Sequence, residues 1–215
     1  MLPLDPVTLS SDGVRLEPLG LEHVEALVLA AAESRANYAF TLVPPDLASM
    51  RAYVSAAVDL RQKGLALPFA TVDAIRGKVV GSTRFANLEV WTWPGDKAPG
   101  EPAVPFDAAE IGWTWLAASA QRTPVNTTAK LLMLTHAFEV WKVRRVNLKT
   151  DDRNARSRAA IERLGAKLDG VLRSHMPAYS GGIRDTALYS ILAAEWPSVK
   201  AGLEARLARA REARV

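Results

Sequence analysis

The chain has 215 residues, is 49% hydrophobic and 23% charged, carries a formal net charge of +4 and contains no cysteine. That length suits one domain with a terminal appendage, large enough to bury roughly 70% of its unfolded surface without a disulfide or metal. The composition excludes a disordered chain, and the missing cysteines exclude disulfides, thiolate zinc sites and a cysteine nucleophile.

Met1 to Asp12 carries acid and proline instead of a basic start and an apolar run, so no secretory leader is expected. Val14 to Leu19 alternates apolar and polar residues and predicts a strand. Leu21 to Ser34 predicts a helix with Val24, Leu27, Val28 and Ala31 on one face. Pro44 and Pro45 break the chain, and a second helix is expected from Asp46, its N-cap, to Lys63, with Gly64 just past its end. Pro68 to Ala74 and Lys78 to Val90 form a hairpin around residues 75–77. Trp91 to Asp107, rich in proline and glycine, reads as a long loop of the kind that is often functional.

Ala109 to Leu116 is the next strand, Thr127 to Trp141 a helix, Arg145 to Thr150 a strand, and Arg156 to Leu164 a short helix closed by Gly165. Lys167 to His175 and Asp185 to Leu192 are the last strands, and Glu195 to Arg214 a final helix. The order predicts an α/β protein: a mixed sheet of about seven strands with helices on both faces. Residues 1–196 read as the domain and 197–215 as a basic C-terminal helix. That helix holds five bases against two acids, +3 of the total +4, so the body is nearly neutral and does not look like a nucleic-acid binder. No run of ~18 apolar residues marks a membrane span. Three scattered histidines, His23, His136 and His175, show no metal-ligand spacing.

Two segments could carry chemistry. In Ala117 to Lys130 (AASAQRTPVNTTAK) a strand gives way to a polar loop and then a helix. Free amides and the dipole at a helix start suit a phosphate, and Arg122, Thr123, Thr127 and Thr128 add a charge and hydroxyls. In Thr150 to Gly165 (TDDRNARSRAAIERLG) Asn154 and Ser157 stand three apart at the next helix start. An ordinary capped turn would look the same at either place.

Taken together, the segments resemble the GNAT superfamily of acyl-CoA-dependent N-acetyltransferases, from Val14 to about Trp196. The runs Ala109 to Trp113 (AEIGW), Asn154 to Ser157 (NARS), Glu162 to Ala166 (ERLGA) and Arg184 to Ile191 (RDTALYSI) are closest to the Rim-type branch, which includes ribosomal-protein N-terminal acetyltransferases. The resemblance implies a GNAT-like fold in which the strand of Ile111 to Leu116 splays from that of Val146 to Lys149. The pantetheine arm of acetyl-CoA would lie in the gap against Trp115 and Leu116. Its pyrophosphate would sit on Gln121, Arg122, Thr123, Val125, Asn126 and Thr127, with Asn154 and Ser157 nearby. The family pattern Q/R-x-x-G-x-G/A maps onto Gln121, Pro124 and Asn126, so both glycines are absent. Pro124 donates no amide, whereas Asn126 can still adopt a left-handed conformation at modest cost.

The same resemblance implies direct attack by an amine on the thioester. Ser157 matches a proposed general acid and Glu110 is the candidate base. Tyr38, Phe40, His175 and Asp185 are candidates for acceptor binding, with Tyr53, Trp91, Trp93 and Phe106 as further aromatic walls. A serine packed in its helix, a solvated strand-edge glutamate and aromatics in the core are the competing accounts of these residues. The acceptor is open between a protein N-terminus, ribosomal proteins included, and a small-molecule amine, with acetyl-CoA as co-substrate, no metal, and a cytoplasmic setting. A catalytically silent acyl-CoA-binding or interaction module is the alternative, and Val199, Leu203 and Leu207 of the last helix could dock a second copy as a homodimer or fold back on their own domain.

Overall fold

A computed structural model of the chain describes residues 4–11, 13–94 and 105–213. Among the described residues one sheet of eight strands has the order β1-β2-β3-β4-β5-β6-β8-β7. The strands are β1 (Leu9–Ser11), β2 (Val14–Pro18), β3 (Ala66–Asp73), β4 (Lys78–Glu89), β5 (Ala108–Leu116), β6 (Arg145–Asp151), β7 (Lys167–Pro177) and β8 (Ile183–Leu192). All neighbours are antiparallel except β5 and β6. The helices are α1 (Val24–Ala32), α2 (Leu47–Gln62), α3 (Val125–Thr135, continued by a π turn over His136–Val140), α4 (Ala155–Glu162) and α5 (Trp196–Glu212). The mixed sheet is as expected, with one strand more: β1 pairs with β2 over three residues.

Alternation along β4 assigns the faces. Ser82 and Arg84 meet Tyr53 of α2, whereas Thr83 meets Met133 and Lys130 of α3. Hence α1 and α2 cover one face, and α3 the other, where α5 packs against it. With both faces covered, every residue of β3 is buried, and its sequence reads as a nearly continuous apolar run. At the far edge β7 is mostly exposed.

Local chemistry sets the ends. Asp46 caps α2 by accepting from the Ser49 amide at 2.9 Å, as its position predicts. In α5, Leu203 and Leu207 are buried and Trp196 stacks on Phe138 at 5.3 Å, so this helix folds back on its own domain. Phe106 is buried against Trp141 at 5.2 Å, and Trp91 and Trp93 pack on each other at 5.8 Å. These aromatics anchor the ends of the predicted long loop, whose residues 95–104 lie outside the described residues.

Candidate active site

The one parallel pair in the sheet is also the one that separates. β5 and β6 pair only at Ala108 with Arg145, Ala109 with Val146 and Glu110 with Asn147. Beyond Glu110, β5 keeps its ladder to β4 and β6 its ladder to β8. The backbone of Ile111 to Trp115 therefore has no strand partner on the β6 side. Within this free stretch β5 carries a bulge. Ser82 faces Trp115 and Arg84 faces Gly112, so Thr83 opposes two residues, one of them Trp113 with φ +50°. β4 passes close by: a Cβ on Gly81 would lie 2.1 Å from the Trp115 carbonyl oxygen.

The loop after β5 is rebuilt around Pro124. Proline fixes a helical φ, here −61°, and serves as the N-cap, so α3 starts at Val125, two residues before the predicted start. Asn126 is consequently helical, and the left-handed residue is Arg122 at φ +60°, exposed at the turn. Asn126 does not use the left-handed conformation open to it. Thr123 holds the turn, donating to the Ala120 carbonyl at 2.7 Å and accepting from the Val125 amide at 3.3 Å. The amides of Asn126 and Thr127 meet no acceptor among the described residues. A helix start thus offers two free N–H groups beside an arginine.

At the start of α4, Asn154 Oδ1 accepts from the Ser157 amide at 3.0 Å. Asn154 is thus an N-cap. The Ser157 hydroxyl is half-buried and bonds to no described residue. The α1–α2 connection ties these parts together. The Tyr38 hydroxyl donates to the Leu116 carbonyl at 3.0 Å, and Gln121 Nε2 donates to the same oxygen at 2.8 Å. Asn37 Nδ2 donates to Gln121 Oε1 at 2.8 Å, and Arg156 of α4 donates to the Asn37 carbonyl at 2.8 Å. Burial pushes the Tyr38 hydroxyl pKa above its usual value. Trp115 meets Tyr38 edge-on at 6.0 Å, and its buried indole N–H has no acceptor among the described residues. Phe40 lies under the Arg153 guanidinium at 5.5 Å. Tyr38 and Phe40 belong to the connection, and Tyr53 to α2.

Glu110 stands at the vertex of the separating strands, the last residue of β5 paired to β6, and is 6% exposed. Its Oε2 accepts from Asn87 Nδ2 at 2.7 Å and pairs with Lys149 Nζ at 2.9 Å. Oε1 is left over, above Gly112, where a Cβ would lie 3.1 Å away. Glu110 is therefore buried and ion-paired, unlike a solvated edge glutamate.

His175 and Asp185 lie on the outer strands β7 and β8, and Asp185 acts electrostatically on Arg153, the guanidinium over Phe40. His175 is exposed on β7, which β8 separates from β6. Asp185 accepts from the Ser174 amide at 2.7 Å and orders an irregular stretch of β7. Tyr189 is buried, donating to Glu162 and accepting from Arg158.

Sequence reasoning misses two buried cations. Arg84 is 4% exposed on β4 and has its guanidinium over the rings of Tyr53 and Trp113. Lys130 is 4% exposed on α3, donating to the hydroxyls of Thr83 at 2.9 Å and Thr114 at 2.7 Å with no carboxylate partner among the described residues. Desolvation lowers its pKa from 10.5 to about 7. Each has a visible signal in the sequence. Arg84 interrupts the apolar half of a strand, and Lys130 falls on the stripe of Ala129, Met133, Leu134 and Ala137. Among the described residues no group of His, Asp or Glu gathers as a metal site, and no helix is long and apolar enough to cross a membrane.

Residues 14–167 match the profile of the acetyltransferase (GNAT) domain. An acetyltransferase, provisionally so named, from T. thermophilus is 33% identical in a superposition covering 95% of this chain and 98% of that one, with TM-score 0.75. A GCN5-related N-acetyltransferase from Brucella melitensis gives TM-score 0.80 at 27% identity, covering 94% and 86% of the two chains. The provisionally named ribosomal N-acetyltransferase YdaF of Bacillus subtilis is 34% identical over 93 residues. That stretch is 43% of this chain and spans about half, 49%, of YdaF. The profile covers most of the sheet and the segment in which β5 leaves β6, and this chain belongs to the GNAT family of N-acetyltransferases.

Proposed function

We propose that the protein transfers an acetyl group from acetyl-CoA to a primary amine by direct attack within a ternary complex. The observation that carries this reading is the gap between β5 and β6 with Glu110 at its vertex and Oε1 uncommitted. The residues present fit acetyl-CoA. The unpaired edge of Ile111 to Trp115 can receive an extended, amide-bearing arm, and the amides of Asn126 and Thr127 with Arg122 can receive its pyrophosphate. Pro124 removes one donor but also starts the helix earlier, which keeps two amides free at its tip. When bound, acetyl-CoA supplies the thioester that the amine attacks.

The chain's own residues have separate tasks. Glu110 Oε1 accepts a proton from the acceptor ammonium, directly or through one water. Asn87 and Lys149 fix the carboxylate by holding the other oxygen. The bulge at Trp113 frees backbone from the β4 ladder beside the gap, where an amide can stabilise a developing oxyanion. Ser157, on the first turn of α4 with a free hydroxyl, donates to the leaving thiolate. The α1–α2 connection, through Tyr38 and Phe40, supports the acceptor side. The acceptor is a protein N-terminus, ribosomal proteins included, or a small-molecule amine, in a cytoplasmic setting; similarity to a protein named as a ribosomal N-acetyltransferase supports the first class.

Calorimetric titration with acetyl-CoA tests the donor site. The expected result is saturable binding, weakened roughly tenfold in Arg122→Ala, as losing one charge-assisted contact of about 1.4 kcal/mol predicts. A folded protein, stripped of co-purified CoA, that shows no binding would overturn the reading.

A further inference from the structure

Arg84 is a buried cation without a carboxylate partner among the described residues. Among the described residues no acceptor reaches its Nε or Nη2, and both atoms are buried. Its Cζ lies 5.0 Å from the Tyr53 ring centroid and 5.3 Å from that of Trp113. Cation–π contact offsets part of the cost of burial, but it satisfies no N–H. The two orphaned donors are not a random pair. Nε–H and Nη2–H point the same way along one edge of a guanidinium and together match the two oxygens of a carboxylate.

The position is as telling as the donors. Arg84 sits on the face of the sheet that α2 covers, directly across from Gly112. Glu110 lies on the same strand two residues from Gly112, and its Oε1 overhangs that glycine. Cross-strand diagonal neighbours stand about 7–8 Å apart, so Arg84 and Glu110 flank a single patch of bare backbone. They do not pair with each other among the described residues.

Building on the transferase reading above, we propose that Arg84 receives a carboxylate of the acceptor, so that the acceptor is an amine bearing a carboxylate a few bonds away. The ammonium faces Glu110 while the carboxylate faces Arg84. Access requires the Trp113 ring, half-exposed and carried on the bulge, to turn aside. The carboxylate can be the α-carboxylate of a free amino acid or an acidic side chain near a peptide N-terminus.

Acetylated products test this without catalysis. CoA-saturated protein is titrated with N-acetylalanine against N-acetylalaninamide, and with an N-acetylated, C-amidated peptide carrying Glu at position two against its Gln counterpart. The expected result is at least about tenfold tighter binding of the carboxylate member of one pair, which also identifies the source. In Arg84→Met the preference disappears, and in Arg84→Lys, kept in case the first variant does not fold, it falls without vanishing. Equal or undetectable binding of both members in both pairs, or a preference unchanged in the folded variant, overturns the proposal. Acetyl transfer to the corresponding free amines separates the two claims. Transfer with no carboxylate preference overturns this inference and leaves the transferase reading intact. No transfer, with Arg84-dependent carboxylate binding, supports the site and overturns the transferase reading.

Discussion

Glu110→Gln is expected to lower kcat by about 10²–10⁴-fold, the usual contribution of a positioned general base, while acetyl-CoA affinity stays within about twofold. The two carboxylate oxygens are used differently. Oε2 is held by Asn87 at 2.7 Å and by Lys149 at 2.9 Å, so the group cannot rotate freely. Oε1 is the one remaining acceptor, and the missing side chain of Gly112 leaves it room. Glutamine keeps the shape, but it can turn its oxygen to Lys149 only by presenting an NH₂ to the incoming amine. The Lys149 side chain is 19% exposed, so part of its charge can rehydrate when the ion pair is lost. A thermal melt of the variant controls for that cost. Steady-state rates within about tenfold of the parent at saturating amine would show that Glu110 is structural.

Lys130→Met is expected to stabilise the protein, and only below a definite pH. Burial brings the Lys130 pKa down to about 7 from 10.5. In the unfolded chain the amine stays protonated up to its ordinary pKa. Between about 7 and 10.5 the unfolded state therefore binds a proton that the folded state lacks, and stability rises with pH through that window. Below 7 both states are protonated, and the whole cost of burying an ammonium is present. That cost is of the order of a few kcal/mol, tempered by the bonds to Thr83 and Thr114. Methionine fills the same space, and the two hydroxyls, already 2.8 Å apart, satisfy each other. At pH 6 the variant's Tm should rise by several degrees, and the upward slope of the parent's stability between pH 7 and 10 should flatten. A lower Tm at pH 6 would mean that the lysine's hydrogen bonds outweigh its desolvation.

These two residues also mark where the sequence is legible and where it is not. The order of strands and helices follows from local periods: two for the strands, 3.6 for the helix stripes. Asp46, Gly64 and Asn154 announce element ends because a cap is chosen by a few neighbouring atoms. β1 escapes because Leu9, Ser10 and Ser11 offer too short an alternation, and only pairing with β2 makes them a strand. The glycine-free loop misleads for a definite reason. The family pattern has glycines where Pro124 and Asn126 stand, but Pro124 already has a helical φ, so the helix starts earlier and the left-handed residue is Arg122. Glu110 is recognisable as a candidate base from its strand, whereas its partners Asn87 and Lys149 come from elements distant in the chain. Arg84 and Lys130 are polar side chains at positions whose period calls for an apolar one. Such conflicts between local pattern and residue type mark positions where function or strain is to be sought.

Direct acetyl transfer between two substrates bound together is tested most directly by initial rates over a grid of acetyl-CoA and amine concentrations. A ternary complex predicts double-reciprocal lines that intersect, with CoA release matched by acetylated amine and no acetyl group left on the protein. Parallel lines, or a protein that carries the acetyl group after acetyl-CoA is removed, would contradict it.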